Sequence, residues 1–228
     1  MHDISIITTE DGSHSLLNTS LQETYHSVHG AVQESQYVFI RHGLDYWLKS
    51  QSQRKVRILE VGFGTGLNAL LTWLYGIEHQ LEVVYYTWET RPLSPEITRQ
   101  LNYANDSRAT GLFNALHQSA WNKEERLSEN FVLCKVQDSI LTGTLHGGPF
   151  DIVYHDAFAP SKQPEMWALG ILKKVTDALS PRGVWVTYCA RGQVKRDLIS
   201  LDLRVEKLPG PPGKREMLRA IRERSLTA

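Results

Sequence analysis

Hydrophobic positions after residue 54 fall into short continuous runs that alternate with longer amphipathic segments. The runs are rich in β-branched and aromatic residues, as strands buried on both faces of a parallel sheet are. They are Val56–Val61, Val83–Trp88, Phe131–Val136, Asp151–Tyr154 and Val184–Tyr188. The segments between them predict helices over Leu67–Tyr75, Ser94–Ala120 and Pro164–Leu179. This alternation predicts an α/β fold with a Rossmann-like, mostly parallel sheet.

Both ends of the chain depart from the alternation. Arg204–Leu208 and Arg215–Ile221 flank a Pro/Gly-rich segment and predict an antiparallel hairpin that closes the sheet. With this hairpin we expect seven strands. Residues 1–50 do not join the pattern and predict a small N-terminal extension packed on a core domain of residues 51–228.

Composition excludes several classes of protein. Of 228 residues, 41% are hydrophobic and 22% are charged, as in an ordinary globular domain. The N-terminus lacks the basic-then-apolar order of a signal peptide, and no apolar stretch approaches the roughly 18 residues of a membrane span. We therefore expect a cytoplasmic protein with no membrane partner. Cys134 and Cys189 lie in apolar runs and predict buried, reduced thiols.

Charge is balanced overall but not along the chain. The net charge is zero, yet the residues from Cys189 onward include ten Lys/Arg and five Asp/Glu. Clustered basic charge is typical of a polyanion site. Solvated faces of helices and strands produce the same surplus, and charge alone favours that interpretation.

A glycine-rich loop follows the first strand of the core domain. Its glycines permit a sharp turn and a close approach of a ligand to the backbone. Leu67 occupies the position of the last glycine in a dinucleotide fingerprint, so the G-x-G-x-G pattern after an acid indicates a methyltransferase instead. A plain strand-to-helix turn is the alternative. The residues predicted to bind S-adenosylmethionine here are Glu60, Gly62, Gly64 and Gly66.

Acidic residues follow the next two strands, where ligands of α/β sheets bind. Glu89 ends the second strand, and we expect its carboxylate to accept hydrogen bonds from both ribose hydroxyls. Asp138 follows the third strand, in the usual place of an acceptor for the adenine amino group. Each acid alone could be a solvated loop residue, but their succession favours a cofactor site.

The fourth strand ends at His155-Asp156. Neighbouring residues of a strand face opposite sides, so only one of the two can point at the site, and we assign Asp156 because the turn begins there. Its carboxylate could accept a proton from an amine and orient the nitrogen for methylation. Phe158 could stack on a flipped-out base or pack in the core. His26 and His29 lack further ligands, so no metal is expected.

Together these motifs resemble one family, the tRNA 5-methylaminomethyl-2-thiouridine methyltransferases, which form the methyltransferase half of MnmC-type enzymes. The resemblance spans residues ~25 to 220 and implies a class I methyltransferase fold. It rests on Tyr37-Val38-Phe39-Ile40, Gly62-Phe63-Gly64-Thr65-Gly66-Leu67-Asn68, Asp156-x-Phe158-Ala159-Pro160, Pro164-Glu165-Met166-Trp167 and Lys214-Arg215-Glu216-Met217-Leu218.

The resemblance implies methyl transfer from S-adenosylmethionine to the aminomethyl nitrogen of a wobble uridine, with tRNA as partner. Tyr25 and Glu34 fall in an N-terminal block that looks like a flap over the cofactor, and Lys162, Lys214 and Arg215 fall in blocks expected to contact the substrate. Ala157 replaces a glycine common after the aspartate. The flavin oxidase domain of bifunctional members has no counterpart here, so we expect no flavin and methyl transfer alone.

Two other functions share these features. Aminopropyltransferases of polyamine synthesis have the same fold and a related cofactor, but the basic C-terminal part favours RNA over a polyamine. A non-catalytic RNA-binding module could also keep the fold, although the intact glycines, Glu89 and Asp156 argue against such a loss of activity. The oligomeric state stays open, and a monomer is compatible with the sequence.

Overall fold

The computed structural model describes residues 3–51, 53–104 and 106–223. An N-terminal antiparallel sheet contains β1 (Ile4–Thr8), β2 (His14–Asn18) and β3 (Glu23–Thr24). The main sheet has eight strands, which are β4 (Lys55–Val61), β5 (Glu82–Trp88), β6 (Lys123–Ser128), β7 (Phe131–Val136), β8 (Phe150–His155), β9 (Leu179–Thr187), β10 (Leu203–Pro209) and β11 (Glu216–Arg222).

The strand order of the main sheet is β10-β11-β9-β8-β4-β5-β7-β6. The central strands β7, β5, β4, β8 and β9 run parallel, and the C-terminal hairpin and β6 are antiparallel. This arrangement confirms the predicted α/β fold with a mostly parallel sheet and a C-terminal hairpin. Because β4 lies between β5 and β8, the loops that follow these three strands meet at one edge of the sheet.

Helices cover both faces of the main sheet. They are α1 (Ala31–Ser35), a π-helix (Gln36–Asp45), α2 (Tyr46–Lys49), α3 (Leu67–Glu78), α4 (Pro95–Thr98), α5 (Ser107–Gln118), a 3₁₀-helix (Pro164–Trp167), α6 (Leu169–Asp177) and α7 (Gly192–Ser200). Alternate residues of each central strand face opposite layers, as period-two strands require. In β4, Ile58 packs in one apolar cluster and Leu59 in the other, and neither is exposed.

The N-terminal segment packs into the core beside α3. Its residues Phe39, Leu44 and Trp47 are buried in the same apolar cluster as Tyr154 of β8. The Phe39 and Tyr154 ring centroids are 5.2 Å apart. Burying aromatic side chains on this scale stabilises the fold by about 2 kcal/mol each. The packing of these residues therefore fixes the loops of the N-terminal segment near the edge of the main sheet.

In the main sheet the sequence pattern missed β6, so this sheet has eight strands instead of the expected seven; the three strands of the N-terminal sheet were also not predicted. Its sequence KEERLS has no apolar run and no alternation, and it pairs with β7 at the edge of the sheet. A strand at the edge of a sheet does not need apolar residues on either face. Its charged side chains protect it from pairing with other chains.

The single helix expected over Ser94–Ala120 was wrong, since two helices occupy this range. Leu101 and Tyr103 turn into the core between them, and each is less than a tenth exposed. The second helix starts at a true N-cap, where the Asp106 side chain accepts a hydrogen bond of 2.7 Å from the Ala109 N–H. The helix expected over Pro164–Leu179 likewise divides into a 3₁₀ turn and α6.

Candidate functional site

A pocket of about 360 Å³ opens where β4, β5, β7 and β8 end. Loops from five parts of the chain form its wall, including the N-terminal segment after β2. This is the edge at which open α/β sheets bind ligands. Of the residues singled out from the sequence, those lining the pocket are Tyr25, Gly62, Gly64, Glu89, Asp138, Asp156, Phe158 and Lys162.

The glycine loop turns sharply between β4 and α3. Gly62, Gly64 and Gly66 have φ of 91°, 49° and 75°, in the left-handed region that favours glycine. A Cβ on Gly62 would lie 3.2 Å from the Asp156 carbonyl oxygen, and one on Gly64 would lie 3.2 Å from the Tyr25 ring. Any side chain would therefore close the space that these glycines leave open along the pocket wall.

Glu89 ties two loops of the pocket together. Its Oε2 accepts a hydrogen bond of 3.1 Å from the Gly64 N–H, and its Oε1 accepts one of 2.8 Å from the Arg91 N–H. Burial raises the pKa of Glu89, while these backbone hydrogen bonds lower it. An ionised carboxylate has about four acceptor positions, so two backbone donors leave it able to accept from a ligand as well.

Asp138 lies at the exposed rim of the pocket, beyond the end of β7. Its Oδ1 accepts a hydrogen bond of 2.7 Å from the Ser139 N–H. Ile140 and Leu141 continue the wall beside it, and Leu141 is more than a third exposed. The rim therefore combines one carboxylate with apolar side chains, which suits a planar ring that carries an amino group.

Asp156 is half-buried at the end of β8, and its neighbour His155 points the other way. His155 is fully buried, with its ring centroid 4.6 Å from that of Trp167 and its Nε2 3.1 Å from the Met166 carbonyl oxygen. Strand alternation therefore separates the two side chains as the sequence indicates.

The surroundings of Asp156 disfavour its charged form. Burial raises the pKa of its carboxyl well above the usual range, and the nearby Glu34 and Glu60 raise it further. A hydrogen bond of 2.8 Å donated by Asn68 Nδ2 to Asp156 Oδ2 and the charge of Lys214 act in the opposite direction. A carboxylate in this setting readily accepts a proton.

Two aromatic side chains line the same pocket as Asp156. The ring centroids of Tyr25 and Phe158 are 5.0 Å apart, with the rings nearly perpendicular. Both residues line the pocket and both are half-buried, so neither belongs to the closed core. Tyr25 reaches the pocket from the segment after β3 and also covers Gly64.

Five residues singled out from the sequence do not line the pocket, namely Glu60, Gly66, Glu34, Lys214 and Arg215. Glu60 lies behind the glycine loop with no exposed surface. Gly66 is the N-cap of α3, and a Cβ there would lie 3.0 Å from His117. Arg215 is exposed on the loop of the C-terminal hairpin.

Glu34 and Lys214 form an ion pair with each other. Lys214 Nζ donates to Glu34 Oε2 and lies 4.5 Å from the centroid of the Tyr188 ring, while Glu34 Oε1 accepts from the Ser27 N–H at 2.9 Å. The Glu34 side chain is 6% exposed. This pair joins the N-terminal segment to the hairpin loop, so Lys214 is not a free surface cation.

Sequence reasoning missed several residues around the glycine loop. Asn68 was within the matched glycine motif, but its contact with Asp156 needs the fold to become visible. His26 Nε2 lies 2.9 Å from Thr65 Oγ1, and His117 Nε2 lies 3.1 Å from the Thr65 carbonyl oxygen. Burial lowers the pKa of both histidines to about 4, so both are neutral supports of the loop.

Within residues 3–51, 53–104 and 106–223, no group of three or more His, Cys, Asp or Glu side chains could hold a metal ion. No helix in the same ranges is long and apolar enough to cross a membrane. Cys134 and Cys189 are buried free thiols, as predicted.

The chain is similar to proteins of known name. It is 28% identical over 86% of its length to the tRNA 5-methylaminomethyl-2-thiouridine biosynthesis bifunctional protein MnmC of Paraburkholderia xenovorans, covering 32% of that protein. It is 29% identical over 94% of its length to the protein of the same name from Burkholderia pseudomallei, covering 35% of it. The chain therefore spans about a third of the length of these relatives.

A solved structure gives the same picture of the fold. The crystal structure of MnmC2 from Aquifex aeolicus superposes with a TM-score of 0.80 at 27% identity, over 96% of this chain and 70% of that one. Residues 108–223, about half of the chain, match the profile of a family described as S-adenosyl-L-methionine-dependent methyltransferase. The chain belongs to this family of S-adenosyl-L-methionine-dependent methyltransferases.

Proposed function

We propose that this protein methylates the aminomethyl nitrogen of a modified wobble uridine in tRNA, with S-adenosylmethionine as the methyl donor. The half-buried carboxyl of Asp156, set between the glycine loop and Phe158, is the observation that carries the proposal. The names of the MnmC relatives support tRNA as the acceptor class.

The pocket fits the cofactor on its own residues. Gly62 and Gly64 leave a cradle that a Cβ would fill, and Glu89 and Asp138 stand at successive strand ends with free acceptor positions. We propose that Glu89 binds the ribose hydroxyls and Asp138 the adenine amino group, with Gly66 starting α3 behind them. When bound, S-adenosylmethionine supplies a methyl group on a positively charged sulfur.

Asp156 prepares the acceptor. An aminomethyl group is mostly protonated at neutral pH, and an ammonium nitrogen has no lone pair with which to accept a methyl group. Asp156 takes one proton from this nitrogen and thereby exposes the lone pair. Because burial raises its pKa well above the usual range, its basicity lies closer to that of the amine than an exposed aspartate's would. The hydrogen bond from Asn68 occupies Oδ2.

Phe158 and Tyr25 border the acceptor side. We propose that the uridine base stacks on Phe158, since single bases taken out of a stack are usually held by aromatic side chains. Lys162 also lines the pocket, and we propose that it contacts a nearby phosphate of the tRNA. The acidic side chains around the pocket would suit a polyamine too, so an assay must include one.

The test is transfer of radiolabelled methyl groups to bulk tRNA that lacks this modification, with putrescine as the alternative acceptor. We expect label in the tRNA and none in putrescine. Label in putrescine alone would replace the proposal by an aminopropyltransferase-like acceptor preference, and cofactor binding without label in either would favour a non-catalytic module.

Asp156→Asn tests the assigned base. Loss of a general base typically lowers the rate by ~10²–10⁴-fold, and we expect that loss in single-turnover methylation with cofactor affinity retained. Raising the pH should restore part of the rate, because more of the amine is then neutral. Asp202→Asn makes the same chemical change on an exposed turn and should have no effect. A rate for Asp156→Asn close to that of the wild type would make Asp156 a structural residue.

A further inference from the structure

Asn68 is the side chain that engages the carboxylate of Asp156. Its Nδ2 donates to Asp156 Oδ2 at 2.8 Å, and within the described ranges Asp156 Oδ1 has no hydrogen-bond partner. Asn68 is 3% exposed and stands in the first turn of α3, directly after the glycine loop. Its place on a helix gives the amide a fixed position relative to β8, which a loop residue would lack.

A second buried carboxyl adjoins Asn68 from behind. Glu60 has no exposed surface, and neither of its oxygens has a hydrogen-bond partner among the described residues. The Oδ1 atom of Asn68 is also buried without a partner there. Burial raises the pKa of Glu60 to about 8, so at neutral pH this carboxyl is mostly protonated.

Asn68 therefore lies between a neutral acid and the reactive one. A protonated Glu60 can donate its O–H to Asn68 Oδ1, which leaves the Asn68 N–H groups directed at Asp156. A buried amide oxygen without a hydrogen-bond donor is destabilising, which favours this orientation of the Asn68 amide over the flipped one.

We propose that Asn68 is a positioning residue for the methyl transfer, holding Asp156 Oδ2 so that Oδ1 remains open to the acceptor nitrogen. This inference rests on the proposed function for its acceptor, and on the fold alone for the contact itself. The donated hydrogen bond stabilises the carboxylate, so Asn68 keeps Asp156 from being protonated permanently in a setting that strongly favours the neutral form.

The experiment is a ¹³C NMR titration of the Asp156 carboxyl in the whole protein, with the signal assigned by its absence in Asp156→Asn. Asn68→Ala, and Asn68→Leu of similar volume, remove the donor. We expect the Asp156 titration midpoint to rise by about one pH unit in both, the shift that loss of one hydrogen bond to a charged group produces. Asn114→Ala, on the exposed face of α5, should leave the midpoint in place.

Single-turnover methylation supplies the second measurement. In the Asn68 variants the rate at neutral pH should fall about tenfold, the acid limb of its pH profile should move up with the titration midpoint, and cofactor affinity should stay unchanged. An unmoved midpoint in a folded Asn68→Leu protein would overturn the proposal, as would a slower rate with an unmoved acid limb. If wild type fails to methylate tRNA, the function proposal fails while the titration still decides the role of Asn68.

Discussion

Glu60 allows a quantitative test of how burial of an ionisable carboxyl group affects the stability of this protein. It is the penultimate residue of β4, with no exposed surface and no hydrogen-bond partner for either oxygen among the described residues. Burial raises its pKa from 4.5 to about 8, and the polar side chains nearby, which lie outside hydrogen-bonding geometry, offset only part of this rise. Replacing it by Gln keeps the shape and removes the ability to ionise.

The sign of the pH dependence follows from linkage. A raised pKa in the folded state means that folding favours the protonated form, so the stability linked to Glu60 is fully present below pH 4.5 and is lost as the pH rises to about 8. A difference of one between the pKa values of the folded and unfolded states corresponds to about 1.36 kcal/mol. Between about pH 6 and 9, wild type should therefore lose about 3 kcal/mol relative to Glu60→Gln.

Denaturant unfolding of both proteins at these two pH values measures the difference directly. Glu129→Gln, on the exposed turn between β6 and β7, is the matched control, because it makes the same change outside the core. A Glu60→Gln protein whose stability relative to wild type is equal at both pH values would show that Glu60 is already ionised, and it would remove the orientation argument for Asn68.

Two further predictions concern ligands. Glu89→Ala should weaken S-adenosylmethionine binding about tenfold or more in calorimetry, because it would remove the proposed acceptors for the ribose hydroxyls and does remove the acceptor for the Gly64 N–H. Equal affinity in a folded variant would exclude this assignment. If cations of α7 and of the hairpin loop contact phosphate, replacing Lys195, Arg196 and Arg215 by Ala should flatten the log–log salt dependence of tRNA binding by roughly two units. Parallel lines of equal height would mean that these side chains form a solvated face.

The choice of these cations differs from what the sequence alone favours. Lys214 and Arg215 are neighbours in a block that the sequence predicts to contact the substrate. The structure distinguishes them: Lys214 contacts the buried Glu34, and Arg215 is exposed. The pair joins residues 180 positions apart, so no local pattern could have indicated it.

The features that the sequence predicts well are those determined by hydrophobic periodicity and by backbone geometry. Continuous apolar runs identified every parallel strand of the sheet, because only strands buried on both faces carry them. Alternation along β8 separated Asp156 from His155, and positive-φ turns account for the glycines of the loop. The polar edge strand β6 and the break between α4 and α5 carry no such signal, since tertiary contacts of Leu101 and Tyr103 decide the latter.

The site contains three acidic side chains whose burial close together is unfavourable for the stability of the fold. Glu34, Glu60 and Asp156 lie close enough for the first two to raise the pKa of the third, and Glu34 and Glu60 are almost fully buried. Lys214 forms an ion pair with Glu34, and burial keeps the carboxyl of Glu60 neutral. Asn68 donates a hydrogen bond to the carboxylate of Asp156. Such perturbed groups cluster at functional sites. With Glu60 neutral and Glu34 paired, Asp156 is the acid left to meet the acceptor, and under the proposed function it would take one proton from an alkylammonium group.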